Sequence, residues 1–468
     1  MGLHKDVIYE VRTGGSDDNG GGFKSSAGGT DYSQQDAAQA NGTNLTVDAV
    51  DNTKVAPDGH TPVAADVGNL IQITAGAGFT LDFYEITAQD GTSWTLDRSP
   101  AATGTSGGTW AMGGALGSPG KLTDAIKTDY QKAYIKSGTY TLTTATNGPA
   151  GPLAVTANIA SYIEGYDVTR GDLIAKDYFD PTDNFPLISA GAQSPTYVVR
   201  LNGGFNDNRQ GIACVAADAN SNATQCFQGG TTYRGDNFIR CKAINAADHG
   251  FTGGRHVECY AKDCVTGIRT LAASKCYSTS NVNGFEASSN NTTYFDHCIA
   301  YANTGDGFSN LSYGVHTANC ISVDNTSDGF KLASSYGGMD SYSNCIAYGN
   351  GAYGWNFSTS REDDFLFNCA AGNNTSGDFR GNNRLANLEP ITLTADPFVD
   401  KASEDFRLND TAGGGALLRG LCRVASQAND TGDIGATQHA DGAGGGTTIQ
   451  RITRRVNRGR RKAGLRSG

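Results

Sequence analysis

The sequence predicts an all-β fold: a single-stranded parallel β-helix solenoid with an inserted N-terminal β-domain and capping elements. Three observations lead there. A unit recurs seven times in the second half of the chain, as Cys241…Phe251, Cys259…Ile268, Cys276…Phe285, Cys298…Phe308, Cys320…Phe330, Cys345…Trp355 and Cys369…Phe379. Each unit opens on a cysteine and closes on a large apolar residue nine or ten positions later, and successive units start 17 to 25 residues apart. A constant pattern at that period marks a stacked solenoid, in which each unit buries its face against its neighbours. Finally, the segments between turns are short, β-rich and broken by Gly, Asn, Ser and Thr, with no sustained helical spacing. Leucine-rich repeats have a similar period, but their leucine pattern is missing.

In such a coil, equivalent residues stack about 4.8 Å apart. The cysteines therefore form a ladder, as do the aromatics and Asn281, Asn303, Asn325, Asn350 and Asn374, each five residues after its cysteine. An asparagine at a turn tolerates the left-handed backbone and bonds locally. Eleven cysteines are present and none form a CxxC pair; Cys259 and Cys264 are too isolated to suggest zinc. The ladder reads as reduced core packing, since cysteine behaves as a small buried hydrophobe. Disulfides between adjacent rungs are the alternative. A reduced ladder implies folding in a reducing cytoplasm.

The elements follow in order. Residues 1–30 hold a strand, from the alternation over 5–12, and a turn-rich segment. Residues 31–118 lack the cysteine repeat and show short β-like stretches at Leu70–Thr74, Phe79–Ile86 and Ser93–Asp97, so they read as a small inserted β-domain. Residues 119–389 form the β-helix. Pro119 suits a first helical turn, and Leu122, Ala125, Ile126 and Tyr130 lie on one helical face, so this helix would cap the open end of the solenoid. Residues 143–240 read as less regular early coils. Residues 390–440 form a closing segment over the other end, and 441–468 a Gly-rich linker and an Arg-rich tail.

Charge is uneven. The net charge is −11, but the last 18 residues carry eight basic side chains and no acid, so removing their +8 leaves −19 on the rest. An acidic body does not bind nucleic acid, whereas the basic tail would contact nucleic acid or an acidic protein surface. The N-terminus lacks the apolar core of a signal peptide, and no apolar run reaches membrane-spanning length.

The phrases from Asn344-Cys345 to Asn350, Asp328-Gly-Phe-Lys-Leu332, and Asp396-Pro-Phe-Val-Asp400 with Asp405-Phe-Arg-Leu408 resemble right-handed parallel β-helix proteins of the pectate lyase-like superfamily, closest to polysaccharide lyase family 9. The resemblance covers about 119–436. The layout also resembles β-helix proteins encoded by bacteriophages as tail or head appendages, which implies synthesis in the cytoplasm and a place in the virion.

In that family, a lysine takes the proton beside a uronate carboxylate while aspartate-bound calcium neutralises the acid. The lysine that matches is Lys331, which points outward if Phe330 points inward. Its column on the other coils holds Thr252, Arg269, Glu286, Ser309, Asn356 and Arg380. Asp306 and Asp328 share one repeat position and, with Asp324 in the same turn region, form the candidate calcium ligands. The family's calcium segment reads Asp-Asp-Gly-Phe-Asp, whereas this chain has Gly305-Asp306-Gly307-Phe308-Ser309. Calcium at these aspartates and a solvated turn are both open readings. Arg361, beside Glu362, Asp363 and Asp364, is the candidate for a substrate carboxylate. The expected role is a structural or receptor- and glycan-recognising virion protein with a degenerate lyase-like site, whose partners are other virion proteins or a cell-surface polysaccharide. Such an appendage is compatible with a trimer. The alternatives are a calcium-dependent lyase or depolymerase, and a glycan-binding module using Tyr301, Tyr313, Tyr336 and Tyr348.

Overall fold

The computed structural model describes residues 6–128, 130–155, 160–176, 180–201, 210–230, 236–287, 292–310, 314–332, 340–357, 365–381, 386–388, 391–419 and 434–435. Three long sheets of 13, 11 and 10 strands, here sheets I, II and III, run along one axis. Each coil contributes a strand to each in turn, as with Asn237–Ile239, Lys242–Ile244 and His249–Thr252. Neighbouring coils pair in parallel, so the chain is a parallel β-helix.

The ladders carry the core. Phe285 stacks on Phe308 at 4.7 Å, Phe308 on Phe330 at 4.8 Å, Phe330 on Trp355 at 5.0 Å and Trp355 on Phe379 at 5.3 Å. Ile268 interrupts this row between Phe251 and Phe285. The seven repeat cysteines are buried at the corner between sheets I and II, and the ten described cysteines are free thiols. Burial pushes the thiols of Cys259, Cys298, Cys320 and Cys369 up, so they are inert.

The asparagine ladder bonds locally, as with Asn325 Nδ2 to Ser322 Oγ at 3.0 Å, and also does more. Its members are 0–9% exposed and bond from coil to coil. Asn303 donates its N–H and Nδ2 to Asn325 Oδ1 at 3.0 and 2.8 Å, and Asn325 repeats this toward Asn350 at 3.2 and 3.0 Å. The left-handed backbone falls one residue earlier, at Ser280, Ala302, Asp324, Gly349 and Asn373. That kink turns the following asparagine inward, where its amide meets the next coil. A matching kink precedes each repeat cysteine, as at Arg240, Glu258, His297 and Asn344. Non-glycine residues hold this conformation at about 1–2 kcal/mol each, offset by the ladder bonds they aim.

The N-terminal strand Val7–Val11 pairs antiparallel with Gly22–Lys24 and parallel with Gln131–Lys136, so it starts sheet I. Between those partners, residues 40–112 close a six-stranded barrel around Trp94 and Trp110, whose rings meet edge to face at 5.1 Å. Glu10, fully buried on the outward side of sheet I, ties the N-terminal strand to a later coil and, through Arg170, to the segment that leads into the barrel. It accepts from Arg12 Nε at 3.0 Å and from Arg170 Nε and Nη2 at 2.9 and 2.7 Å, while Arg170 also reaches Asp31 at 3.3 Å.

Three expectations need correction. The helix is a single turn, Leu122–Ala125, and Tyr130 is 70% exposed with positive φ rather than on its buried face. Among the described residues of 143–240, Ser161–Tyr166, Pro186–Ser189 and Tyr197–Leu201 take their places in the three sheets, so the same three-strand coil already runs there. The cysteine pattern does not extend to them because Val215 holds the cysteine position one rung below Cys241. The described part of the closing segment does not lie over the end. Its hairpin, Phe398–Asp400 with Asp405–Leu408, packs on the outer face of sheet II, where Ile321, Val323, Ile346 and Tyr348 form an apolar stripe. An outward apolar stripe of that length requires cover.

Candidate functional site

The candidate site is the outer face of sheet III. Strand alternation turns Phe330 inward, so its neighbour Lys331 faces out. The register places Thr252, Arg269, Glu286, Ser309, Lys331, Asn356 and Arg380 in one row, as the repeat spacing required. A second row, three residues earlier in each coil, holds His249, Thr266, Asn283, Asp306, Asp328 and Tyr353.

This face is polar but not open. Asp306, Asp328, Glu286, Ser309, Asn356 and His249 are all below 9% exposure. Buried polar groups must be bonded, and the bonds here run between coils. Asn283 Oδ1 accepts from the N–H of Asp306 at 3.2 Å, Asp306 Oδ1 from that of Asp328 at 3.2 Å, and Asp328 Oδ1 from that of Tyr353 at 3.0 Å. The second oxygens are also taken. Lys331 Nζ donates to Asp306 Oδ2 at 2.9 Å, and Asn356 Nδ2 to Asp328 Oδ2 at 2.7 Å. Arg269 Nε pairs with Glu286 Oε1 across one rung at 3.2 Å. Arg380 lies over the Tyr353 ring, 5.2 Å from its centroid. Asn356 Oδ1 and Thr252 Oγ1 are buried with no hydrogen-bond partner among the described residues.

The sequence-derived site residues thus divide. Lys331, Asp306 and Asp328 come together. Asp324 does not join them: it lies at the corner after sheet II, where its Oδ1 accepts from Lys401 Nζ at 2.8 Å. Burial works against the charge of Lys401, but Asp324 outweighs it and holds that ammonium above its usual pKa. Arg361, Glu362, Asp363, Asp364, Tyr313, Tyr336 and the Arg-rich tail lie outside the described residues. Tyr301 and Tyr348 are not a sugar platform, because the C-terminal hairpin covers them through Phe406 and Phe398 at 5.2 and 6.4 Å.

The donor set does not fit calcium, which takes six to eight oxygens. Every oxygen of Asp306 and Asp328 already accepts from a neighbouring coil or side chain, and an ammonium stands beside them. Among the described residues no group of three His, Cys, Asp or Glu side chains is arranged to hold a metal ion. Sequence reasoning placed Asn356 in the row but missed its bond to Asp328 and the Lys331–Asp306 pair. The shared repeat position of Asp306 and the outward position of Lys331 were visible; that one reaches the other across a coil was not.

No protein-family model matches the chain, and no curated protein does. Solved structures do. The chain is similar to pectate lyase Pel9A at 12% identity and a TM-score of 0.48, covering 68% of this chain and 90% of that one. It is also similar to the A-module of the Azotobacter vinelandii mannuronan C-5 epimerase AlgE6 (16% identity, TM-score 0.37, 59% and 76% covered). A third similarity is to ORF18 of Geobacillus virus E2 (12%, 0.35, 70% and 69%). These likenesses are of fold. No helix among the described residues is long and apolar enough to cross a membrane.

Proposed function

We propose that this chain is a non-catalytic, glycan-recognising β-helix, working as a tail or head appendage of a phage particle, with the outer face of sheet III as its recognition surface. One observation carries the reading. The amine and the carboxylates that a β-elimination would use are bonded to one another and to neighbouring coils, so they serve the solenoid. A base must be free to meet the proton it abstracts, and Lys331 Nζ is engaged by Asp306 at 2.9 Å. What the face offers a ligand is different: side chains on Arg269, Lys331 and Arg380 that reach solvent. The appendage role is supported by the layout of the chain, a solenoid with an added barrel inserted after its first strand.

The test is affinity electrophoresis of the full chain in gels containing polygalacturonate or alginate, with the ultraviolet absorbance of unsaturated uronates followed in parallel. Retardation without rising absorbance is expected. Rising absorbance that disappears in Lys331→Ala would make the protein a lyase instead. Absence of the chain from purified particles would remove the appendage role.

A further inference from the structure

Asp306 and Asp328 are 5% and 3% exposed and stand on adjacent coils, about 4.8 Å apart along the axis. Like charges so close repel unless a proton or cation is shared between them. The resemblance implies calcium at this turn, and the donor set does not fit it. What stands there is the Nζ of Lys331, 2.9 Å from Asp306 Oδ2, while Asp328 Oδ2 accepts from Asn356 Nδ2 at 2.7 Å. We infer that the Lys331 ammonium takes the place of a divalent cation, so that the face of sheet III recognises an anionic ligand without a metal. The replacement rests on the ion pair itself; the ligand rests on the proposed glycan reading of this face.

The geometry around the pair favours an anion. An ammonium has three donors, and one is spent on Asp306. The Lys331 side chain is 36% exposed above a carboxylate that is 8% exposed, so its remaining donors face solvent. Arg269 over Glu286 repeats the arrangement at 32% and 11% exposure. In both places the base lies outside and the acid beneath it. Arg269 and Lys331 are three rungs apart in one row, and Arg380 is two rungs further. At about 4.8 Å per rung, these cations are spaced at about 14 and 10 Å. Between the last two lies Asn356, 7% exposed, whose Nδ2 is spent on Asp328 Oδ2 at 2.7 Å. Cations spaced along a row match a polymer that carries repeated acidic groups, and on the proposed reading of this face that polymer is an acidic glycan.

The experiment has a metal arm and a ligand arm. In the first, thermal melts of the full chain are recorded with calcium chloride at about 10⁻³ M, where weak carboxylate sites fill, and with chelator. The wild type should melt at the same temperature in both. Lys331→Met keeps the stem and removes the charge. It should melt lower, and calcium should restore at least half of the loss, while sodium chloride at equal ionic strength should not. Asp306→Asn/Lys331→Met, which removes both charges, should fold and ignore calcium. A wild type that calcium stabilises as much as the variant overturns the inference. So does a Lys331→Met chain that calcium does not rescue, including one that fails to fold in calcium while the double variant folds. In the ligand arm, polygalacturonate should retard the wild type equally with and without chelator, and neutral dextran should not. Retardation lost in chelator overturns metal independence. No retardation at all counts against the glycan reading and leaves the melts to decide the cation replacement.

Discussion

His256 makes the core sensitive to acid in a way that can be worked through. It takes an inward position on sheet I, between Phe238 and Ala273, and is 1% exposed. Its ring stacks on Phe238 at 5.1 Å and meets the edge of Phe251 at 5.0 Å. Nδ1 is bonded to Thr270 Oγ1 at 2.9 Å, and Nε2 has no partner among the described residues. Burial pushes its pKa down from 6.5 to about 4, against a smaller upward pull from Cys276 and the Ala272 backbone. The native state therefore refuses a proton that the unfolded chain accepts between about pH 4 and 6.5. Stability contributed by the neutral ring is complete above 6.5 and falls as pH drops through that window. From pH 7 to pH 5 the loss is about 2 kcal/mol, at about 1.36 kcal/mol per pKa unit. Equilibrium urea titrations at the two pH values measure it. His256→Phe keeps the ring stack and removes the titration, so the variant should lose about 2 kcal/mol less than the wild type over that interval. Stopping at pH 5 keeps most carboxylates ionised. Equal losses in the two proteins would refute the reasoning.

Three further outcomes are expected. Phe330→Ala removes a fully buried ring stacked on both sides and should cost about 3–5 kcal/mol on denaturant titration; a loss below about 1 kcal/mol would contradict the ladder. Asn325→Ala orphans the two Asn303 donors at about 1–3 kcal/mol each, so at least about 2 kcal/mol should be lost, whereas exposed Asn44→Ala should stay within about 0.5 kcal/mol. Arg170→Ala leaves the buried Glu10 with Arg12 and Tyr166. It should cost about 3 kcal/mol, the low end for a broken buried pair, and should speed proteolysis at the junction of barrel and solenoid.

The functional face shows why a repeat reveals some relations and hides others. The row through Arg269, Glu286, Lys331 and Asn356 was readable because strand alternation and the repeat fix which residues share a face. The Arg269–Glu286 pair followed from that row, since both members belong to it. Lys331 and Asp306 occupy different rows and are 25 residues apart, so their pairing depends on the reach of a side chain across one rung. Asp324 misled for a related reason: it is near Asp328 in sequence, but two β corners of one coil face different neighbours. Tyr301 and Tyr348 looked like exposed aromatics because their cover comes from residues 398–408, far along the chain.

By itself the sequence determined the repeat, its period and the inward ladders, and so the parallel β-helix. These follow from local alternation and from equivalent residues stacking at one rung spacing, which any single coil encodes. The tertiary structure decided the contacts that cross between rows or between distant segments. The buried acids of sheet III are met by Lys331 and Asn356, Glu10 by Arg12 and Arg170, and the apolar stripe of sheet II by the C-terminal hairpin. Charge pairing acts through space over a few ångströms, and in a solenoid the nearest group in space is commonly one coil away.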